Sequence, residues 1–191
     1  MDVIGQVAVG MHEGEPQFPP RLTDVLEIVP HDGVVLIELK ATDDTTIRLV
    51  ADLVRHYKTT HPNPGTIKFI SFSAEGVVKM KKLMSSHQCY LLIAAVPVFS
   101  RDYLDRQARH AAALGLDGID VNADTQLVDR EFVRRCSRLG LRVMVWRYFL
   151  QYENAVLWNA MRIAGVEAFT TDFPPNILTW NTRTNIKTSS Y

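Results

Sequence analysis

Val34-Val35-Leu36-Ile37-Glu38-Leu39-Lys40 is an apolar run that ends in an acid and a base two positions apart. Four consecutive aliphatic residues after Gly33 predict a strand buried on both faces, as in a parallel sheet covered by helices. Alternate residues of a strand share a face, so Glu38 and Lys40 project the same way from its C-terminal end. Open parallel sheets and closed βα barrels both build their sites at that end. Held side by side there, the two charges either bind a metal and a phosphate or neutralise each other as a structural ion pair.

Downstream, Asp43 to Lys58 places Ile47, Val50, Val54 and Tyr57 on one helical face, closed by the turn His61-Pro62-Asn63-Pro64-Gly65. Strands are predicted at Thr66 to Phe72 and Cys89 to Val96. Helices are predicted at Ala74 to Met84 and after Ser100, a candidate cap. The chain then repeats itself: Gly115, Gly140 and Gly165 lie 25 residues apart, each followed by Leu or Val and a new strand. Glycine in that place supplies the left-handed backbone that ends a helix and turns the chain back into the sheet. The strands that follow are Gly118 to Val121, Arg142 to Trp146 and Ala168 to Thr171.

Upstream of Val34, Arg21 to Val29 predicts a short helix with Thr23 as its cap. Residues 1–20, with Gly, Pro and charge but no period, predict an irregular segment, and the polar stretch 179–191 predicts a flexible tail. Residues 21–178 are then the folded body, and 191 residues favour one domain.

Six strands alternating strictly with helices predict a parallel sheet with right-handed crossovers. A closed barrel takes eight such units, and at about 27 residues each that is about 215 residues, near the typical ~250. The sheet is therefore either open or a barrel short of its first two strands.

The charge balance, 21 basic against 21 acidic residues, points away from polyanions, and no nucleic-acid partner is expected. No apolar run is long enough to span a bilayer. The start Met1-Asp2-Val3 has no cationic leader, so a cytoplasmic chain is expected. Cys89 in a predicted strand and Cys136 on an apolar helix face read as small buried hydrophobes in a reducing compartment.

Read in order, Pro20-Arg21-Leu22-Thr23-Asp24-Val25-Leu26 before Leu36-Ile37-Glu38-Leu39-Lys40, then Ile70-Ser71-Phe72-Ser73, then Gly140-Leu141-Arg142-Val143-Met144-Val145-Trp146, then Gly165-Val166 and Thr171-Asp172-Phe173-Pro174, resembles the glycerophosphodiester phosphodiesterase family from about Pro20 to Leu178. The resemblance implies an α/β fold of (β/α)8 TIM-barrel type. It is incomplete, with about six βα units that look like the third strand onward and the first two strands missing. It also implies metal-dependent hydrolysis of a small-molecule glycerophosphodiester to glycerol 3-phosphate and an alcohol in lipid metabolism. Carried onto this chain, Glu38 resembles a carboxylate ligand of the divalent metal, calcium or magnesium. Lys40 resembles the cation that steadies the phosphate, and Trp146 the aromatic wall for the glycerol moiety.

The family's His-Arg-Gly after its first strand and Glu-x-Asp after its second, which supply catalytic histidines and two metal carboxylates, do not occur in Met1 to Gly33. The metal site is expected to be incomplete, and the chain as given to hydrolyse its substrates poorly or not at all. His31-Asp32 precedes the third strand, so it predicts a turn on the face opposite the site. At Arg147-Tyr148-Phe149 the family has Thr-Val-Asn, which leaves the seventh-loop contacts open. The remaining histidines, His12, His56, His61, His87 and His110, do not recur at ligand spacing and predict solvated or capping positions.

Asp120, Asn122 and Asp124 alternate at a strand end, where they either join the metal shell or substrate contacts or only begin a turn. Asp172 either pins the eighth loop or faces the chemistry. The rival to a catalytic barrel is a non-catalytic binding or regulatory module whose open edges allow self-association or closure against a partner. A third reading is an unrelated open α/β sheet.

Overall fold

The chain enters through a hairpin. In the computed structural model, which describes residues 8–30, 32–61, 65–94, 101–147 and 152–186, β1 (Gly10–His12) pairs antiparallel with β2 (Glu15–Gln17). Its loop is Glu13-Gly14, both at positive φ, 50° and 87°, the backbone that a two-residue type I′ turn requires. Composition predicts an irregular segment here. The two three-residue strands are exposed throughout, so no buried alternation announces them.

Helix α1 (Leu22–Glu27) follows. Thr23 lies inside it and does not cap it. The capping contact is made by Asp24, whose carboxylate accepts from the Arg21 backbone N–H at 3.0 Å. Asp32 lies in a turn, as expected; His31, Ser100 and the turn residues 62–64 fall outside the described residues.

The body is one sheet of six parallel strands, β3 (Val34–Glu38), β4 (Thr66–Ser71), β5 (Gln88–Ile93), β6 (Gly118–Asn122), β7 (Arg142–Trp146) and β8 (Ala168–Thr170). Their spatial order is their chain order, with no strand skipped. Between and after them run α2 (Asp44–Thr60), α3 (Ala74–Leu83), α4 (Arg101–Ala113), α5 (Arg130–Arg138), α6 (Ala155–Ala164) and α7 (Pro174–Ile186). A doubly wound sheet reverses its strand order at a switch point, and this one has none. With right-handed crossovers, a sequential order puts every helix on the same side and curls the sheet into part of a barrel.

The two sheet faces differ accordingly. Ile37, Phe69, Leu91, Ile119, Val121 and Val145 point outward into the main core with helix residues such as Ile47, Val54, Met80 and Phe132. The inner face carries a small cluster, Ile70, Tyr90, Leu92 and Met144, flanked by Leu36 and Trp146. Strict alternation along each strand produces this division.

The glycines at 115, 140 and 165 all have φ between 72° and 87°. Each closes a helix with paired Schellman bonds: Leu116 N–H to Ala111 O, Leu141 N–H to Cys136 O and Val166 N–H to Met161 O, with the glycine N–H bonding three residues back. At the other end, side-chain caps open several helices: Asp43 opens α2, Ser73 α3, Asp129 α5 and Asn154 α6. Cys89 and Cys136 are free and buried, and burial pushes both thiols up to about 12.

Two further expectations are corrected. Residues 179–186, expected to belong to a flexible tail, continue α7. That helix starts at Pro174, a residue suited to the first turn. It is held by packing, with Trp180 tilted on Trp158 at 5.8 Å between ring centroids. Thr179 and Thr182 hydroxyls bond back to carbonyls four residues earlier, so polar residues sit in a helix that sequence period alone does not announce. His87, expected at a solvated or capping position, is buried, and burial first, then the nearby Lys58 and Lys81 charges, push its pKa down. Among the described residues no helix is long and apolar enough to cross a membrane.

Candidate functional site

The C-terminal ends of the parallel strands converge on a cleft of about 300 Å³. Glu38 and Lys40 come from the end of β3, Ile70 and Phe72 from β4, Leu92 from β5 and Asp120 from β6. Trp146 and Arg147 come from β7, and Thr170 and Asp172 from β8. The placement follows from register. In the inner-face alternation Glu38 lies beside Ile70, Leu92 beside Asp120 and Trp146 beside Thr170, so each strand lends the cleft an inward residue from near its C-terminal end.

Glu38 and Lys40 form an ion pair at 2.7 Å. The Lys40 side chain is 79% exposed and that of Glu38 31%. Both side chains line the cleft, on the shared face that alternation predicts.

Asp120 is different in kind. It is 1% exposed, and among the described residues its Oδ1 has no hydrogen-bond partner. Burial, and next the charge of Glu38, push its pKa up to about 7. A carboxylate is normally buried only when paired or hydrogen-bonded.

Trp146 stands against Phe72 edge-to-face, ring centroids 6.0 Å apart and planes at 87°, the geometry the ring quadrupoles favour. Asp172 pairs with Arg147, and the Arg147 guanidinium lies 5.8 Å from the Phe173 ring centroid. The Phe173 N–H bonds to the Thr171 hydroxyl at 2.9 Å, so the loop after β8 is fixed where it meets β7.

Of the residues singled out from sequence, Glu38, Lys40, Trp146, Asp120 and Asp172 line this one cleft, whereas Asn122 does not. Asn122 is in register with Trp146 and buried at the end of β6. Asp124 accepts from the Gln126 N–H at 2.8 Å, a turn contact. Phe72 and Arg147 carry a weaker sequence signal. A phenylalanine in an apolar strand reads as core, and an arginine where the family has another residue type carries no pattern of its own. Their signal is position: each lies one or two residues past an inward-facing strand residue.

The sequence matches the glycerophosphoryl diester phosphodiesterase family over residues 11–176. Among solved structures it is similar to a provisionally named glycerophosphodiester phosphodiesterase of Galdieria sulphuraria, with a TM-score of 0.69 and 16% identity over 93% of this chain and 68% of that one. It is similar also to a phosphodiesterase of Oleispira antarctica in complex with the product sn-glycerol-3-phosphate, with a TM-score of 0.59 and 18% identity over 85% of this chain and 61% of that one. A Parabacteroides distasonis glycerophosphodiester phosphodiesterase gives 0.55 and 18%, over 79% of this chain and 58% of its own. At these identities the likeness is one of fold. No curated protein matches.

Proposed function

The chain belongs to the glycerophosphoryl diester phosphodiesterase family, and from that premise we propose that its strand-end cleft is the phosphodiester site of a glycerophosphodiester phosphodiesterase. The substrate class is a glycerophosphodiester, with glycerol 3-phosphate and an alcohol as products. The observation that supports this reading is that Glu38, Lys40 and Trp146, separated by over a hundred residues, line one cleft.

Lys40 is the phosphate contact. Its pair with Glu38 is exposed and contributes only about 0–1 kcal/mol, so the ammonium can turn from the carboxylate to a phosphate and act on it as a point charge. Trp146, stiffened by Phe72, offers an apolar face to the carbon side of a glycerol group. Glu38 would hold a divalent cation, calcium or magnesium. An acidic cleft with an unpartnered buried carboxylate oxygen fits a hard ion that takes oxygen ligands. Bound there, such an ion would polarise a phosphoryl oxygen.

None of the described residues lining the cleft is a histidine, so the usual general acid and base have no occupant in it. The 191-residue chain is therefore proposed to bind the phosphate while turning substrate over slowly or not at all. A non-catalytic binding module is the second reading, favoured by the same lack and by β3 and β8, which among the described residues each pair on one side only.

Titration calorimetry with glycerol 3-phosphate and a release assay on glycerophosphocholine test the proposal together. Binding that Lys40→Ala weakens, without release above buffer, is expected. Robust metal-dependent release would overturn the claim of slow turnover, and no binding by the unmodified chain would overturn the site.

A further inference from the structure

We propose that Asp120 is a second carboxylate ligand, facing Glu38 across the strand-end cleft, for a magnesium-type cation that keeps part of its water shell. The inference rests on the reading of Glu38 as a cation ligand and adds to it a residue that the family resemblance does not supply.

The first ground is the state of the Asp120 side chain. It comes from the inner face of β6, a strand paired on both sides, and is 1% exposed. Asp120 is among the residues lining the cleft, and its buried Oδ1 has no hydrogen-bond partner among the described residues. The other two acids of the cleft have cations of their own: Lys40 for Glu38 and Arg147 for Asp172. Asp120 has neither an ion pair nor a donor to Oδ1 among the described residues. A buried acid in that condition is costly unless something positive completes it.

The second ground is what Asp120 does face. Asp120 and Glu38 both come from the inner face near the C-terminal ends of their strands, and both line the one cleft. Two carboxylates that feel each other across a cleft repel when both are ionised, and a cation between them turns that repulsion into two attractions. Lys40 does not fill this role: it pairs with Glu38 while its own side chain stays largely exposed.

The third ground is the size of the donor set. Among the described residues no group of three or more acids, histidines or cysteines is placed to hold a metal. Calcium takes six to eight oxygens and favours a dedicated protein cage. Magnesium is commonly held by one or two carboxylates with waters and a substrate phosphate completing the octahedron. Two carboxylates beside a lysine suited to a phosphate match the second pattern.

Manganese serves as the probe, its free-ion paramagnetic resonance signal reporting binding, with magnesium competing. The chain is expected to take up one manganese ion that magnesium displaces, and Glu38→Gln and Asp120→Asn are each expected to weaken it at least tenfold. Asp120→Asn is isosteric and removes the repulsion, so it should melt no lower than the unmodified chain in metal-free buffer; Asp120→Ser is the second variant and should behave alike. If Glu38→Gln weakens binding and neither Asp120 variant does, the role of Asp120 is overturned while the reading of Glu38 stands. If only the Asp120 variants weaken it, the facing pair is overturned, and Glu38 loses its role with it. If the unmodified chain takes up no manganese, the cation site falls altogether.

Discussion

Lys40 and Glu38 sit 2.7 Å apart at a strand end, and what matters about them is how cheaply they separate. An exposed pair contributes about 0–1 kcal/mol, because solvent screens it and two long side chains lose freedom to form it. Lys40 can therefore be both the resting partner of a carboxylate and the contact of an incoming phosphate. Trp146 differs: it is partly buried on the inner cluster and stiffened by Phe72, so it offers a fixed surface. The two residues should separate in a ligand series. Lys40→Ala should weaken glycerol 3-phosphate and inorganic phosphate alike. Trp146→Ala should weaken glycerol 3-phosphate by roughly tenfold, about 1.4 kcal/mol, and leave inorganic phosphate nearly unchanged. Calorimetric titration of the two ligands against each variant reads the split. Equal losses with Trp146→Ala would remove its role as a wall for the glycerol group.

At the scale of the element, Gly118 opens β6 with no room for a side chain. A Cβ there would lie 2.4 Å from the Tyr90 ring and 2.5 Å from the Arg142 carbonyl oxygen. The ring could turn only by giving up the bond its hydroxyl donates to Glu167 at 2.6 Å, and the carbonyl belongs to the neighbouring strand. Gly118→Ala should therefore cost about 1–3 kcal/mol, as overpacked cores do. It should appear as a lower urea midpoint with an unchanged slope; an unchanged midpoint would mean that β6 and β7 yield more readily than their pairing suggests. This steric demand is not legible in the sequence, where Gly118 only starts a strand. The glycines at 115, 140 and 165 are legible, because ending a helix in the left-handed region is a local requirement. The same contrast separates the two ends of the chain from its middle. The β1–β2 hairpin buries none of its residues, and α7 is held by Trp158 and Trp180 rather than by a period of its own. In the site, alternation at strand ends reveals Glu38, Lys40, Asp120 and Trp146. It does not reveal that the Asp120 Oδ1 lacks a hydrogen-bond partner among the described residues, which depends on what five other strands bring to the cleft.

Across the whole molecule, the parallel strands are tied together at the end opposite the cleft by one carboxylate. Glu167, just before β8, accepts from Lys68 of β4 at 2.6 Å, from the Tyr90 hydroxyl of β5 at 2.6 Å and from Arg142 of β7 at 3.0 Å. Lys68 is also 99 residues away in sequence, lying 5.4 Å from the Tyr90 ring centroid, and that separation is why no local pattern foretells the cluster. A flat sheet would hold β4 and β8 several strand widths apart, at about 4.8 Å per strand, so a shared carboxylate between them is a direct mark of curvature. The Lys68 and Glu167 side chains are 8% and 23% exposed, which makes their pairing less screened than that of Lys40 with Glu38. Burial alone would raise the Glu167 pKa, but the bonds from Lys68, Tyr90 and Arg142 outweigh it and hold it below the usual glutamate value. An acid depressed in the folded state contributes stability that is fully present above its unfolded value, about 4.3. That stability is lost as pH falls through the folded value, because there the unfolded chain binds more protons. Glu167→Gln keeps an acceptor oxygen and loses the charge, so at pH 7 it should cost about 2 kcal/mol, the range for hydrogen bonds to charged groups. Between pH 7 and pH 4 the variant and the unmodified chain should run parallel in urea-unfolding stability. Below pH 4 the gap should narrow, since protonating Glu167 reproduces the loss of charge that the substitution made. A gap that stays constant to the acid limit would mean that the carboxylate acts on the fold only through its shape.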